Sequence, residues 1–165
     1  MSRFRIEKLD KQNRAGFDCG NAALNDYFQR HAGQDQRRRY AVCFVALDVV
    51  SEVVAGYYTL SSGTVDLDRL PEDLAARLPR YPAVPIVKIG RLAVDNNFQG
   101  TGLARILLAD AYTRILHLEV GAYAIAVDAI DDQAEAFHLH HGFLKMQSRV
   151  ATDRLLILPI RKAEK

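Results

Sequence analysis

The sequence predicts one mixed α/β layered domain spanning residues 1–165. Three observations carry that reading. Residues 40–47 and 53–61 are rich in β-branched and aromatic side chains and flank a short polar stretch, the pattern of an antiparallel hairpin. The second half alternates strand-length apolar runs with segments of helical spacing. A chain of 165 residues also buries enough apolar surface in one core to need no disulfide or metal staple.

Residues 4–9 read as a short strand. Phe17-Asp18-Cys19-Gly20-Asn21 reads as a turn into a helix, where Leu24, Tyr27, Phe28 and His31 recur at helical spacing to about Asp35. After the hairpin, Pro71 opens a short helix, because its fixed φ and missing N–H cost nothing in a first turn. Pro79, Pro82 and Pro85 then hold the chain extended, since proline and its predecessor both resist helix. Residues 86–94 form a strand, 95–100 a loop, and 102–118 a helix broken at Gly121. Residues 123–127 are a strand and 131–141 a helix broken at Gly142. Residues 143–146 and 154–158 are the last two strands.

Hydrophobic residues make up 49% and charged residues 25%, an ordinary balance for a water-soluble globular protein. No apolar run approaches the ~20 residues of a membrane helix. The opening MSRFRIEKLD lacks the apolar segment of a secretory signal, so the expected location is the cytoplasm. Cys19 and Cys43 make no disulfide framework and read as reduced, packed thiols. A net charge of +2 does not mark the whole molecule as a polyanion binder. Local charge says more: Arg37-Arg38-Arg39 follows a polar helix, with Arg30 and His31 upstream. That run reads either as a solvated face or as a polyanion-binding patch. His138, His140 and His141 invite a metal reading, but no cysteine or carboxylate at ligand spacing accompanies them, and no metal is expected.

The chemistry is concentrated in Val94-Asp95-Asn96-Asn97-Phe98-Gln99-Gly100-Thr101-Gly102-Leu103-Ala104. A strand runs out, a glycine-bearing loop turns, and a helix begins. The first turn of that helix has N–H groups without intrahelical partners, and with the positive end of the helix dipole they favour an anion. Gly100 and Gly102 lack a Cβ, so the backbone can approach a bulky phosphate. Thr101 offers a hydroxyl donor. The loop is neither a Walker loop, lacking GK[ST], nor a GxGxxG dinucleotide fingerprint. On its own it suits a phosphate-bearing ligand or a ligand-free turn equally.

The surrounding residues break that tie. Gln99-x-x-Gly102-x-Ala104 resembles the Q/R-x-x-G-x-G/A signature of the GNAT N-acetyltransferases. Gly90-Arg91-Leu92-Ala93-Val94 resembles the family's central strand, and AEAFHLHHGF, residues 134–143, its second motif. The fold this resemblance implies is a mixed twisted β-sheet with splayed central strands and helices on both faces. A β-bulge near Leu92 to Val94 would drive the splay. The implied cofactor is acetyl-CoA, its pantetheine arm held by backbone pairing as an added strand would be. The implied cofactor-binding residues are Leu92, Ala93, Val94, Gln99, Gly100, Thr101, Gly102, Leu103, Ala104 and Phe137.

In such enzymes a neutral amine attacks the thioester carbonyl directly, and the oxyanion that forms needs a preorganised donor. The resemblance makes the backbone N–H of Val94 that donor. The departing thiolate wants a proton, which many family members supply from a tyrosine in the segment A-x-x-F-Y. Here the matching residue is His138. It takes over as acid, its ordinary pKa of ~6.5 suiting proton transfer near neutrality. Alternatively the site is weakened and turns over slowly, or the histidine is an introduced change.

Residues 17–28, Gly56-Tyr57-Tyr58-Thr59-Leu60-Ser61, Leu78-Pro79-Arg80-Tyr81-Pro82 and Val127-Asp128-Ala129 extend the likeness. They resemble the toxins of toxin–antitoxin modules that acetylate the α-amine of aminoacyl-tRNA and block translation. That resemblance implies a homodimer and a ribbon-helix-helix antitoxin partner. It also makes Arg37, Arg38, Arg39, Arg80 and Arg91 candidates for tRNA phosphate. Arg91 also suits an internal ion pair. Tyr57, Tyr58 and Tyr81 suit either base stacking or packing. Two other functions stay open: acetylation of a small amine or protein N-terminus, and a cofactor- and antitoxin-binding protein with little turnover.

Overall fold

The computed structural model describes residues 2–148, 150 and 153–160. The first elements are β1 (Phe4–Lys8), α1 (Ala22–Asp26), a π turn (Tyr27–His31) and α2 (Ala32–Arg37). They are followed by β2 (Val42–Asp48), β3 (Val54–Asp66), α3 (Glu72–Ala75) and β4 (Ala83–Val94). The second half holds α4 (Leu103–Leu116), β5 (Ala124–Asp128), α5 (Asp132–His140), β6 (Leu144–Lys145) and β7 (Leu155–Pro159). The fold is mixed α/β, with a seven-stranded sheet in the order β1-β2-β3-β4-β5-β7-β6. The chain groups into two compact units, Met1–Ser61 with Ile89–His117 and Ser62–Lys88 with Leu118–Lys165.

In the first unit, β1 and β2 pair antiparallel, as do β2 and β3, whose register shifts between Ala46 and Leu47. Asn21 caps α1, its side chain accepting from the Leu24 N–H at 3.0 Å. The core is aromatic: Phe28 stacks on Tyr57 at 4.2 Å and Phe17 meets both edge-on. Full burial of such rings stabilises by roughly 1.5–3 kcal/mol each. A Cβ on Gly56 would lie 2.9 Å from the Ala93 carbonyl and 3.1–3.2 Å from Leu107 and Leu103. Only glycine therefore lets β3 pass this close to β4 and to the first turns of α4. The far end of α4 is held by Asp110, which accepts from Tyr58 at 2.5 Å and pairs with Arg114 at 2.8 Å.

In the second unit, β5 and β7 pair antiparallel over a core that includes Leu70, Ala124, Ala126 and Ile157. Asp131 caps α5, accepting from the Ala134 N–H at 2.8 Å. Arg154, just before β7, pairs with Asp132 and Glu135 of α5 at 2.6 and 3.0 Å, and Lys145 pairs with Glu135 at 2.9 Å. Arg69 also pairs with Asp153.

Several boundaries differ from those read in the sequence, and the strand read as 53–61 runs from Val54 to Asp66. The strand read as 86–94 begins at Ala83 and includes Pro85. Proline lacks a donor but keeps its carbonyl, and that of Pro85 accepts from the Tyr123 N–H at 2.9 Å. The helix read as 102–118 ends at Leu116, ahead of Gly121. Its end is closed by His117, whose N–H turns back to the Arg114 and Ile115 carbonyls and whose ring meets the Thr113 carbonyl at 2.7 Å. Among the described residues no helix is long and apolar enough to cross a membrane.

Candidate active site

β4 ends at Val94, and Asp95 starts a single 3-10 turn, Asn96–Phe98. Asp95 anchors this loop, a role that its sequence neighbours do not reveal. Its carboxylate is buried, accepting from the Asn97 N–H at 2.9 Å and from the Asp18 N–H at 3.0 Å. Its own N–H donates to the Ala55 carbonyl at 2.8 Å, and the Asn96 N–H to the Asp18 carbonyl at 2.8 Å. The turn before α1 is thus clasped to the glycine loop. An aspartate directly after an apolar strand is a capping signal, but its partner 77 residues away leaves no trace in the local sequence.

Gly100 and Gly102 have φ of 76° and 82°, and a Cβ on either would meet nothing within 4 Å. The glycines thus serve a left-handed backbone that side chains resist by roughly 1–2 kcal/mol, and they leave the space beside the loop open. Gly102 is the N-cap of α4, with no side chain capping the helix and no acidic residue in its first turn. Arg105, in that turn, is exposed. A helix of 14 residues with an uncapped, carboxylate-free N-terminus and an open approach fits a pyrophosphate well. Leu103 is buried beneath the loop, with Ala104 next to it.

Two side chains behave differently from the expectation. The Thr101 hydroxyl donates to the Phe98 carbonyl at 2.6 Å, so its proton is spent inside the loop. The Gln99 amide donates to the carbonyls of Cys19 and Val94 at 3.3 Å and to Asn96 at 3.2 Å. Both brace the loop, leaving the backbone N–H groups as its anion donors. Leu92 and Val94 are partly buried on β4, and Ala93 between them is fully buried.

His138 lies on α5, in the second unit, and is 5% exposed. Its ring is bracketed edge-on by Phe137 at 5.1 Å and Phe143 at 5.2 Å, and Phe137 also meets His141 at 4.6 Å. Gly142, at φ 95°, lets the chain fold back after the helix, where the Phe143 N–H donates to the His138 carbonyl. Among the described residues, His138 Nδ1 is a buried polar atom with no hydrogen-bond partner. Burial, with His141 nearby, lowers the imidazole pKa to about 4. The ring is therefore neutral near pH 7, unlike the half-charged acid the sequence suggests.

The arginines divide. Arg37, Arg38 and Arg39 are exposed at the end of α2, and Arg80 is exposed in the second unit. Arg91 is turned inward. Its guanidinium lies 3.5 Å from the centre of the Tyr27 ring, and it makes no ion pair among the described residues. The internal role considered for Arg91 is thus a cation–π contact rather than an ion pair. Tyr57 and Tyr58 are buried and bonded to the Leu24 carbonyl and to Asp110, as packing requires, whereas Tyr81 is exposed. Burial raises the Cys43 thiol to about 12, leaving it inert. No group of three or more His, Cys, Asp or Glu among the described residues is placed to hold a metal ion.

The family described as acetyltransferase (GNAT) domain matches residues 75–164, more than half of the chain. The chain belongs to this family. It is 34% identical over 136 residues to a tRNA-acetylating toxin of Mycobacterium tuberculosis (strain ATCC 25618 / H37Rv), covering 81% of this chain and 80% of the relative. Its fold is similar to that of AtaT complexed with acetyl-methionyl-tRNAfMet, with a TM-score of 0.86, 29% identity and 94% of each chain covered. It is also similar to a tyrosine-to-phenylalanine mutant of the AtaT toxin bound to the C-terminus of the antitoxin AtaR and acetyl-CoA. There the TM-score is 0.79 at 26% identity, over 96% of this chain and 94% of the other.

Proposed function

We propose that this chain, acting as one catalytic domain, transfers the acetyl group of acetyl-CoA to the α-amine of aminoacyl-tRNA and so blocks translation. The observation that carries the cofactor half is the open, uncapped N-terminus of α4 behind two left-handed glycines. The acceptor half is supported by the tRNA-acetylating relative and by the AtaT–tRNA complex.

When bound, acetyl-CoA supplies an acetyl thioester. The chain supplies the surroundings. The backbone N–H groups of residues 100–104 hold the pyrophosphate, with Gln99 and Thr101 bracing the loop. Leu92, Ala93 and Val94 on β4 would hold the arm, Phe137 is assigned to the cofactor by the family resemblance, and the Val94 N–H would be the donor to the thioester carbonyl oxygen. Losing one such donor costs ~3 kcal/mol in well-studied sites. His138, neutral and with an unpartnered ring nitrogen, would be the hydrogen-bond donor to the thioester sulfur in its N–H tautomer. Holding acetyl donor and amine together supplies much of the remaining rate advantage.

Arg37, Arg38, Arg39, Arg80 and Arg91 serve the acceptor in this reading, Arg91 through its hold on Tyr27. The active particle is a homodimer in the cytoplasm, restrained by a ribbon-helix-helix antitoxin. The AtaR-bound neighbour supports an antitoxin partner.

A single-turnover reaction with labelled acetyl-CoA and bulk charged tRNA tests the reading. Label should appear on the tRNA and leave it, on mild alkaline treatment, as an N-acetylated amino acid. Label that stays on CoA, or moves only to free amines, overturns it.

A further inference from the structure

The three arginines that close α2 do different things. The Gln34 amide oxygen, turned toward Arg38, accepts from that guanidinium at 2.9 and 3.2 Å. Arg39 lies past the helix with a left-handed backbone, φ 64°. Arg37 leans back one turn, as helical side chains do, and its Nη1 lies 3.4 Å from where a Cβ on Gly33 would stand. Arg14 reaches the same point from the loop after β1, with its Nη2 at 3.5 Å and Nη1 at 3.8 Å. Two guanidinium groups therefore converge on the same point beside Gly33, with their nearest nitrogens no more than about 7 Å apart.

Neither has a carboxylate at ion-pair distance among the described residues. Like charges held this close repel, and an anion between them removes the cost. Arg14 is anchored in place: its Nη1 donates to the Phe28 carbonyl at 2.7 Å, and its guanidinium lies 5.8 Å from the Phe28 ring centre. The helix makes this possible. In the π turn the Ala32 N–H bonds back to the Tyr27 carbonyl, not to that of Phe28. Gly33, having no side chain, leaves unfilled the point on which both guanidiniums converge.

We infer that Arg14 and Arg37, converging beside Gly33, form a clamp for one backbone phosphate of the tRNA acceptor. The clamp rests on the acceptor proposed above. Two charged forks converging on one gap suit the oxygens of a single phosphate, each bond being charge-assisted. Arg38, already engaged by Gln34, contributes less.

The test measures binding of bulk uncharged tRNA across a salt series for the whole protein and for Arg14→Gln, Arg37→Gln, Arg38→Gln and Gly33→Asp. Affinity for acetyl-CoA and the thermal midpoint are measured alongside. Arg14→Gln and Arg37→Gln should each weaken tRNA binding about tenfold and lower the slope of log affinity against log salt by about one. Arg38→Gln should weaken it less. Gly33→Asp sets a carboxylate between the forks, so it should weaken tRNA binding while raising the thermal midpoint. Acetyl-CoA affinity should hold throughout.

Unaltered tRNA binding in Arg14→Gln and Arg37→Gln overturns the clamp and leaves the proposed reaction standing. If the unmodified protein neither binds nor acetylates charged tRNA, clamp and reaction fall together. Loss of binding to a polyglutamate peptide but not to tRNA marks a protein-facing site and also overturns the clamp.

Discussion

At the scale of single residues, the replacement of the family tyrosine by His138 can be judged by proton linkage. The folded ring has a pKa of about 4, against an ordinary value of 6.5. The unfolded chain therefore binds the extra proton first as pH falls. Stability is unaffected above about 6.5, declines between 6.5 and 4, and levels off below, a loss on the order of 3 kcal/mol. His138→Gln should flatten that part of the thermal-midpoint profile, and an unchanged slope would show that another group titrates. The same neutrality bears on catalysis. A donor that is neutral at pH 7 gives a rate without an imidazolium titration near 6.5. His138→Ala should lower kcat by a factor of about 100 or more while acetyl-CoA affinity changes little. His138→Tyr should retain activity, since a phenol also donates to the departing sulfur. Alanine as active as histidine would remove His138 from the reaction.

Among the elements, the glycine loop and the N-terminus of α4 depend on Asp95 as much as on the glycines. Asp95→Ala leaves the Asp18 and Asn97 N–H groups without their carboxylate. Each unmet donor costs about 1–3 kcal/mol, so both stability and acetyl-CoA affinity should fall, as read by thermal denaturation and a cofactor titration. Gly102→Val should spare most of the fold yet sharply weaken the cofactor, because it strains a φ of 82° and fills the approach to the first N–H groups. Cofactor affinity within twofold of the parent would mean that the loop does not hold the pyrophosphate. These elements also mark what the sequence could show. Strand patterning, the turn through Asn21 into the first helix and the loop ahead of α4 are legible in the sequence because their determinants are local. The Asp95–Asp18 clasp, the cation–π contact of Arg91 with Tyr27 and the approach of Arg14 to Gly33 join distant segments, which no periodicity encodes. The stop of α4 at Leu116 was misread because Gly121 is the stronger local signal, while His117 closes the helix with its own N–H and ring.

For the whole molecule, a net charge of +2 leaves salt dependence to distinguish tRNA from a small amine as the acceptor. Global attraction to a polyanion is weak at that charge, so affinity for tRNA must come from a few arginines placed against phosphates. Each phosphate contact releases counterions and contributes about 0.7–0.9 to the slope of log affinity against log salt. Three contacts would weaken tRNA binding roughly twenty- to fortyfold between 50 and 200 mM salt. A small neutral or monocationic amine shows almost none of this, and acetyl-CoA gives an internal reference for the phosphate-binding loop alone. The apparent KM for charged tRNA should therefore climb with salt much faster than that for acetyl-CoA, while kcat stays nearly constant because chemistry in the assembled complex does not depend on encounter. Parallel, shallow salt dependences for both substrates would point to an acceptor without a phosphate backbone and return the enzyme to the small-amine class.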